Sequence, residues 1–222
     1  MKLVHPDCAM HIIGENDIVC EWVIESPKYF SKYIQELVGQ SQGKEGKFVL
    51  ADSNGEVNWL HYCEIVFDII TLDINEKKIL NKLYAELENM AYQEDFFIQT
   101  QKVTQELQTY VLELEQATNY IFEFKEQPDL AGVFKSIGLK QEIVEEDMLE
   151  KLIRYIKTAV NVLKTKLFVF INLRSFLSDV QMEQLIKEIS YQEVNVLLIE
   201  NQAKCCMEGV RRYIIDKDGC EI

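Results

Sequence analysis

Seven carboxylates gather in one stretch of the chain: Glu123, Glu126 and Asp129, then Glu142, Glu145, Glu146 and Asp147. Only three lysines share that interval, Lys125, Lys135 and Lys140. At helical spacing Glu142 neighbours Glu145 and Glu146, so these charges repel unless water solvates them or a hard cation bridges them. Calcium takes about six to eight oxygens in forgiving geometry and suits such a group. The competing reading is that acids at a helix start complement its dipole, as bases at its end do.

The bases are few but grouped. Lys135 and Lys140 flank the turn Ile137-Gly138-Leu139, with Lys125 just upstream; Lys151, Arg154 and Lys157 recur every three residues; Arg174 follows an apolar run; Arg211 and Arg212 adjoin near the C-terminus. Contacts to backbone phosphate need charge rather than base-reading geometry, so several subunits sharing a channel could assemble such a surface from these groups. A helix solubilised by its lysines is the plain alternative for Lys151, Arg154 and Lys157.

Other chemistries lack their residues. A phosphate-cradling loop needs converging glycine amides, a lysine and a hydroxyl, whereas the first strand-to-helix turn reads Val23-Ile24-Glu25-Ser26-Pro27-Lys28. It has no glycine, places an acid where an anion would sit, and loses one helix-terminal amide to proline. The apolar run ending at Asn172 lacks a terminal aspartate for magnesium. The expectation is that no nucleotide is bound. His5, His11 and His61 are never at zinc-helix spacing and read as surface or half-buried residues, and Ser175 sits in no nucleophile elbow.

In 222 residues, 37 acids against 23 bases leave a net charge of −14, which argues against generic attraction to nucleic acid or anionic membrane. A hydrophobic fraction of 48% supplies a real core, and with three prolines and nine glycines the chain is too poor in turns for an all-β fold. There is no apolar run long enough for a membrane span, and Met1 to Asp7 lacks a leader's basic-then-apolar pattern. A soluble, cytoplasmic protein is expected. Its six cysteines are scattered apart from the vicinal Cys205-Cys206, so reduced thiols are expected.

Positioning these residues requires a set of elements. Ile18 to Ile24 has strand composition, Ser26-Pro27 opens a helix to about Val38, and Phe48-Val49-Leu50 and Glu64 to Phe67 read as strands separated by a turn at Ser53-Asn54-Gly55. Neither glycine nor proline occurs between Gly55 and Pro128, and Asp73 to Glu76 has capping-box spacing ahead of an apolar repeat. A long helix is predicted from about Asn75 towards Glu126, bent or reversed within 93–104; unbroken, it would reach roughly 78 Å at about 1.5 Å per residue. A short helix from Pro128 ends at Gly138, and another runs from about Glu145 to Lys164. Leu167 to Ile171 and Val194 to Ile199 are apolar on both faces and flank a helix over 178–190, which predicts a parallel sheet covered by helices. The fold class is α/β, with the helical arm inserted between the halves of the core.

Phe134-Lys135-Ser136-Ile137-Gly138-Leu139-Lys140, Lys166 to Asn172 with Phe176-Leu177, and Val194 to Glu200 resemble a known family: the small type II-A CRISPR-associated adaptation protein, a ring-shaped homotetramer that binds ends of double-stranded DNA. The resemblance covers the whole chain in element order and about 134–200 in texture. It implies a mainly parallel sheet like a degenerate P-loop NTPase head, formed by 1–74 plus 140–222, with a long-helix leg over 75–139. It further implies a non-catalytic role in spacer acquisition beside the adaptation integrase and the RNA-guided effector nuclease, calcium held by acids near the head–leg junction, and DNA threaded through a lysine-lined channel. By position, Lys135 and Lys140 fall in the matching segment, with Lys125, Arg174, Arg211 and Arg212 as further DNA candidates. The seven acids named first are implied as calcium ligands only as a group.

Two other classes compete: a helical self-association scaffold that binds no nucleic acid, and a metal-dependent nuclease built on the acids. Salt-dependent DNA binding separates the first, and cleavage of labelled duplex with magnesium or manganese the second.

Overall fold

The computed structural model describes residues 1–144 and 146–222. The chain divides into two packed units, one of Met1–Ile74 with Val144–Ile222, the other Asn75–Ile143. The first unit opens with β1 (Lys2–Val4), β2 (Val19–Ile24), helix α1 (Pro27–Ser41), β3 (Val49–Asp52), β4 (Gly55–Glu56), the short helix α2 (Trp59–Tyr62) and β5 (Cys63–Val66). The second holds α3 (Lys77–Ala91), α4 (Glu94–Gln116) and α5 (Leu130–Ser136). The first then resumes with α6 (Met148–Thr158), β6 (Leu167–Ile171), α7 (Asp179–Ser190), β7 (Asn195–Glu200) and β8 (Arg211–Ile215).

Five strands form one parallel sheet in the order β5-β6-β7-β2-β8. Every residue of β2 and β6 is buried, as strands covered on both faces require. Cys20, Trp22, Ile24, Val169, Leu197, Ile199 and Tyr213 share a core with Tyr33 and Leu37 of α1, with Leu3 and Leu50 of a second, antiparallel sheet ordered β1-β3-β4, and with Phe48 just before β3. Their alternates in sequence, Phe168, Phe170, Val196 and Leu198, are equally inaccessible on the opposite face. The α/β class and the parallel sheet therefore stand.

Several element boundaries differ from the sequence reading. β3 pairs with the two-residue β4, whereas β5 lies at an edge of the parallel sheet; of the turn residues only Gly55 takes a positive φ, +120°. α1 continues through Gly39 to Ser41. α3 starts at Lys77 with Glu76 as N-cap, two residues beyond the expected start at about Asn75.

The long helix breaks at Tyr92–Gln93 without glycine or proline. There Thr100 Oγ1 donates to the Ala91 carbonyl at 2.7 Å, satisfying a group the break orphans, and Glu94 and Asp95 complement the new N-terminus. α4 ends at Gln116, ten residues before Glu126, because local side chains compete for the backbone. Thr118 Oγ1 donates to Glu115 O at 3.1 Å, and Glu115 Oε2 accepts from the Phe122 amide at 3.1 Å. α6 begins at Met148, where Asp147 and Glu150 form a capping box, and passes into a π-helical turn over Ala159–Leu163.

Candidate nucleic-acid interface

The segment carrying Lys135 and Lys140 is fastened to α3 and its N-terminal approach by hydrogen bonds that all reach backbone atoms. Tyr92 donates to the Pro128 carbonyl at 3.1 Å, Glu88 accepts from the Leu130 amide at 3.0 Å, and Tyr84 donates to the Leu139 carbonyl at 2.5 Å. Asn75 both donates to the Gln141 carbonyl at 3.0 Å and accepts from its amide at 2.8 Å. Asp129 caps α5 through the Gly132 amide at 2.7 Å, and Gly138 turns the chain at φ +70°, the left-handed value that glycine adopts without cost. Lys135 and Lys140 are exposed on this braced segment, and Lys125 is exposed just before it. Phosphate contacts need accessible cations on a fixed backbone, and this segment presents two.

The other bases singled out in the sequence are committed elsewhere. Arg174, expected at a DNA surface, is buried: its guanidinium pairs with Glu21 at 2.8 Å and Asp179 at 2.9 Å and donates to the Cys205 carbonyl at 2.9 Å. Burial makes it an internal counter-ion rather than a phosphate contact. Arg211 pairs with Asp17 at 2.8 Å and donates to the His11 and Ile12 carbonyls; Arg212 pairs with Glu21 at 2.6 Å. Both lie on β8, so their side chains alternate across the sheet instead of forming a joint basic patch. Lys151 donates to the Ile70 carbonyl at 2.6 Å, Arg154 pairs with Glu146 at 3.0 Å, and Lys157 with Glu188 at 3.0 Å, so this run is laced to acids and backbone.

The acids fall in both units. Glu123, Glu126, Asp129 and Glu142 belong to the second, and Glu146 and Asp147 to the first; Glu145 lies outside the described residues. Asp129 and Asp147 each spend an oxygen as a helix cap and Glu146 faces Arg154. Among the described residues no three acids, histidines or cysteines stand together as a ligand set. His5 is buried rather than surface: its Nδ1 accepts from the Asp7 amide at 3.1 Å, which leaves Nε2 to face Glu36 at 3.3 Å. At the first strand-to-helix turn, the Glu25 amide donates to Ile215 O at 2.9 Å and Pro27 has no amide to offer.

A charged cluster that sequence reasoning missed lies towards the carboxyl ends of the parallel strands. Glu21 and Glu200 are each 1% exposed; Glu200 accepts the Arg174 amide at 3.0 Å. Burial pushes the Glu200 carboxyl up to about 7, with the Arg174 amide opposing and the nearby Glu21 charge adding to the rise. The available signal was an acid inside each of two apolar strands, because a carboxylate there must find a partner.

Residues 40–219 match the family model described as CRISPR-associated protein (Cas_Csn2). A protein of Enterococcus faecalis named CRISPR-associated protein Csn2 is 25% identical over 163 residues, covering 69% of each chain. One of the same name from Streptococcus agalactiae is 24% identical over 157 residues, covering 69% of this chain and 68% of its own. The family match runs through the braced lysine segment and through all of the parallel sheet except β2, and on that extent the chain belongs to the Csn2 family of CRISPR-associated proteins.

Proposed function

We propose that this CRISPR-associated protein is a non-catalytic, sequence-independent binder of double-stranded DNA that loads at ends and serves spacer acquisition as a cytoplasmic homotetrameric ring. The observation that carries the reading is the braced segment over 128–141 with Lys135 and Lys140 exposed on it. One subunit of net charge −14 repels DNA, whereas four subunits around an axis bring four copies of each lysine towards one duplex. Self-association is supported by α4, which exposes Phe96, Ile98, Tyr110, Leu112 and Leu114, more apolar surface than an isolated helix face carries without a partner. The adaptation integrase and the RNA-guided effector nuclease are its partners in this reading, and no nucleotide is required.

Calcium belongs to the proposal as the ion the family resemblance implies, with no ligand assigned to it. Melting and native mass with calcium and with excess chelator test it; identical values remove the ion from the reading.

The decisive experiment compares linear with closed circular duplex by gel shift at several salt concentrations. A ring entered from an end binds linear DNA, fails on intact circles, and loses affinity steeply with salt. Equal affinity for both topologies overturns end loading, and absence of any shift makes the self-association scaffold the better account. Cleavage of the duplex with magnesium or manganese would overturn the non-catalytic assignment.

A further inference from the structure

The connection from β7 to β8 carries the vicinal pair Cys205-Cys206, and the buried charge cluster holds it down. The Cys205 carbonyl accepts from Arg174 at 2.9 Å and from Arg212 at 3.0 Å, Lys204 donates to the Arg174 carbonyl, and Met207 is buried. Both cysteines are nevertheless exposed. The Arg212 Nη1 lies 3.2 Å from Cys206 Sγ while its Nε is fixed by Glu21 at 2.6 Å, so a cation is locked against an accessible sulfur.

The other cysteines lack this combination. Cys20 is buried with its thiol pushed up to about 12, and burial also raises Cys63 and the half-buried Cys8. Cys220 is exposed, but no cation contacts its sulfur among the described residues. Reactive thiols are accessible, electropositive in surroundings and placed beside a second thiol, and among the described residues Cys206 alone meets all three conditions.

We propose that Cys206 is a modification site for peroxides, with Cys205 as the thiol that resolves it. The Cys206 sulfur attacks the peroxide O–O bond and takes one oxygen, becoming a sulfenic acid, and the other oxygen leaves as water or an alcohol carrying the thiol proton. Sulfur is oxidised and the peroxide reduced. The Cys205 sulfur then attacks Cys206 sulfur, forming the S–S bond and breaking the S–O bond; the departing hydroxyl takes the Cys205 proton and leaves as water. The resulting small ring includes the Cys205–Cys206 peptide, so its closure turns the carbonyl that anchors Arg174 and Arg212. The modification thereby reaches the buried cluster, and the inference is independent of DNA binding.

The test uses the full chain under native conditions. Iodoacetamide alkylation followed by fragment mass spectrometry should find Cys206 reacting about tenfold faster than Cys220, an internal control that needs no variant. With hydrogen peroxide and dimedone, Cys205→Ser should accumulate the trapped sulfenic acid at Cys206, and the unaltered chain should yield a 205–206 peptide lighter by two hydrogens. Arg212→Gln, in preparations shown by melting to be folded, should slow Cys206 towards the Cys220 rate, and Arg212→Lys should slow it less. Equal alkylation of Cys206 and Cys220 in the unaltered chain, or dimedone capture at Cys220 in preference to Cys206, overturns the proposal.

Discussion

Tyr84 on α3 donates its phenol hydroxyl to the Leu139 carbonyl at 2.5 Å, one residue before Lys140. The ring is buried while the lysine next to its acceptor is exposed, so one hydrogen bond joins the interior of the helical unit to an accessible cation. Tyr84→Phe should cost about 1 kcal/mol, the usual worth of such a bond, and free the 139–140 backbone. Urea unfolding measures the first effect. Duplex affinity at fixed salt measures the second and should fall, because the lysine must then be ordered on binding.

Charge reversal at both lysines, Lys135→Glu with Lys140→Glu, should weaken binding to all duplexes alike and flatten the dependence of affinity on salt by about two phosphate contacts per subunit. Gel shifts across a salt series with unrelated sequences check this. Unimpaired binding would remove both residues from the interface.

Glu200 gives a signed dependence on pH. Its folded value of about 7 lies above the ordinary 4.5, so the native chain holds a proton there that the unfolded chain releases. Its stabilisation is complete below about pH 4.5 and is lost as pH rises through about 7, on the order of 3 kcal/mol at about 1.36 kcal/mol per unit. Glu200→Gln, which stays neutral, should be the more stable protein at pH 8 and show a smaller decline between pH 5 and 8, measured by urea midpoints at each pH.

Arg174→Ala should destabilise the first unit by roughly 3–5 kcal/mol, because it leaves the Glu21 carboxylate buried with Arg212 alone. Arg174→Ala with Glu21→Gln should recover part of that loss. Thermal melting of the two variants checks the order, and a double variant no more stable than the single one would refute the pairing as the cause.

Much of the architecture was readable without coordinates because it rests on local composition. Leu167 to Ile171 and Val194 to Ile199 had to be covered on both faces, Ser26-Pro27 had to start a helix, and Gly138 had to turn the chain, since few residues tolerate φ +70°. The glycine- and proline-free stretch announced long helices and a bend within 93–104, at whose edge the break at Tyr92–Gln93 lies, but not the end at Gln116. The exact positions, Tyr92 and Gln116, depend on Thr100, Thr118 and Glu115 capturing backbone groups, and apolar periodicity does not show such bonds. The fates of the charges were decided by tertiary structure alone. Arg174 and Lys135 are both single bases near the end of an element, yet one is enclosed between Glu21 and Asp179 and the other stands in solvent. Sequence determines that a charge exists; whether it is consumed within the fold or left for a ligand depends on which distant strand or helix is brought beside it, here Glu21 across 153 residues of chain.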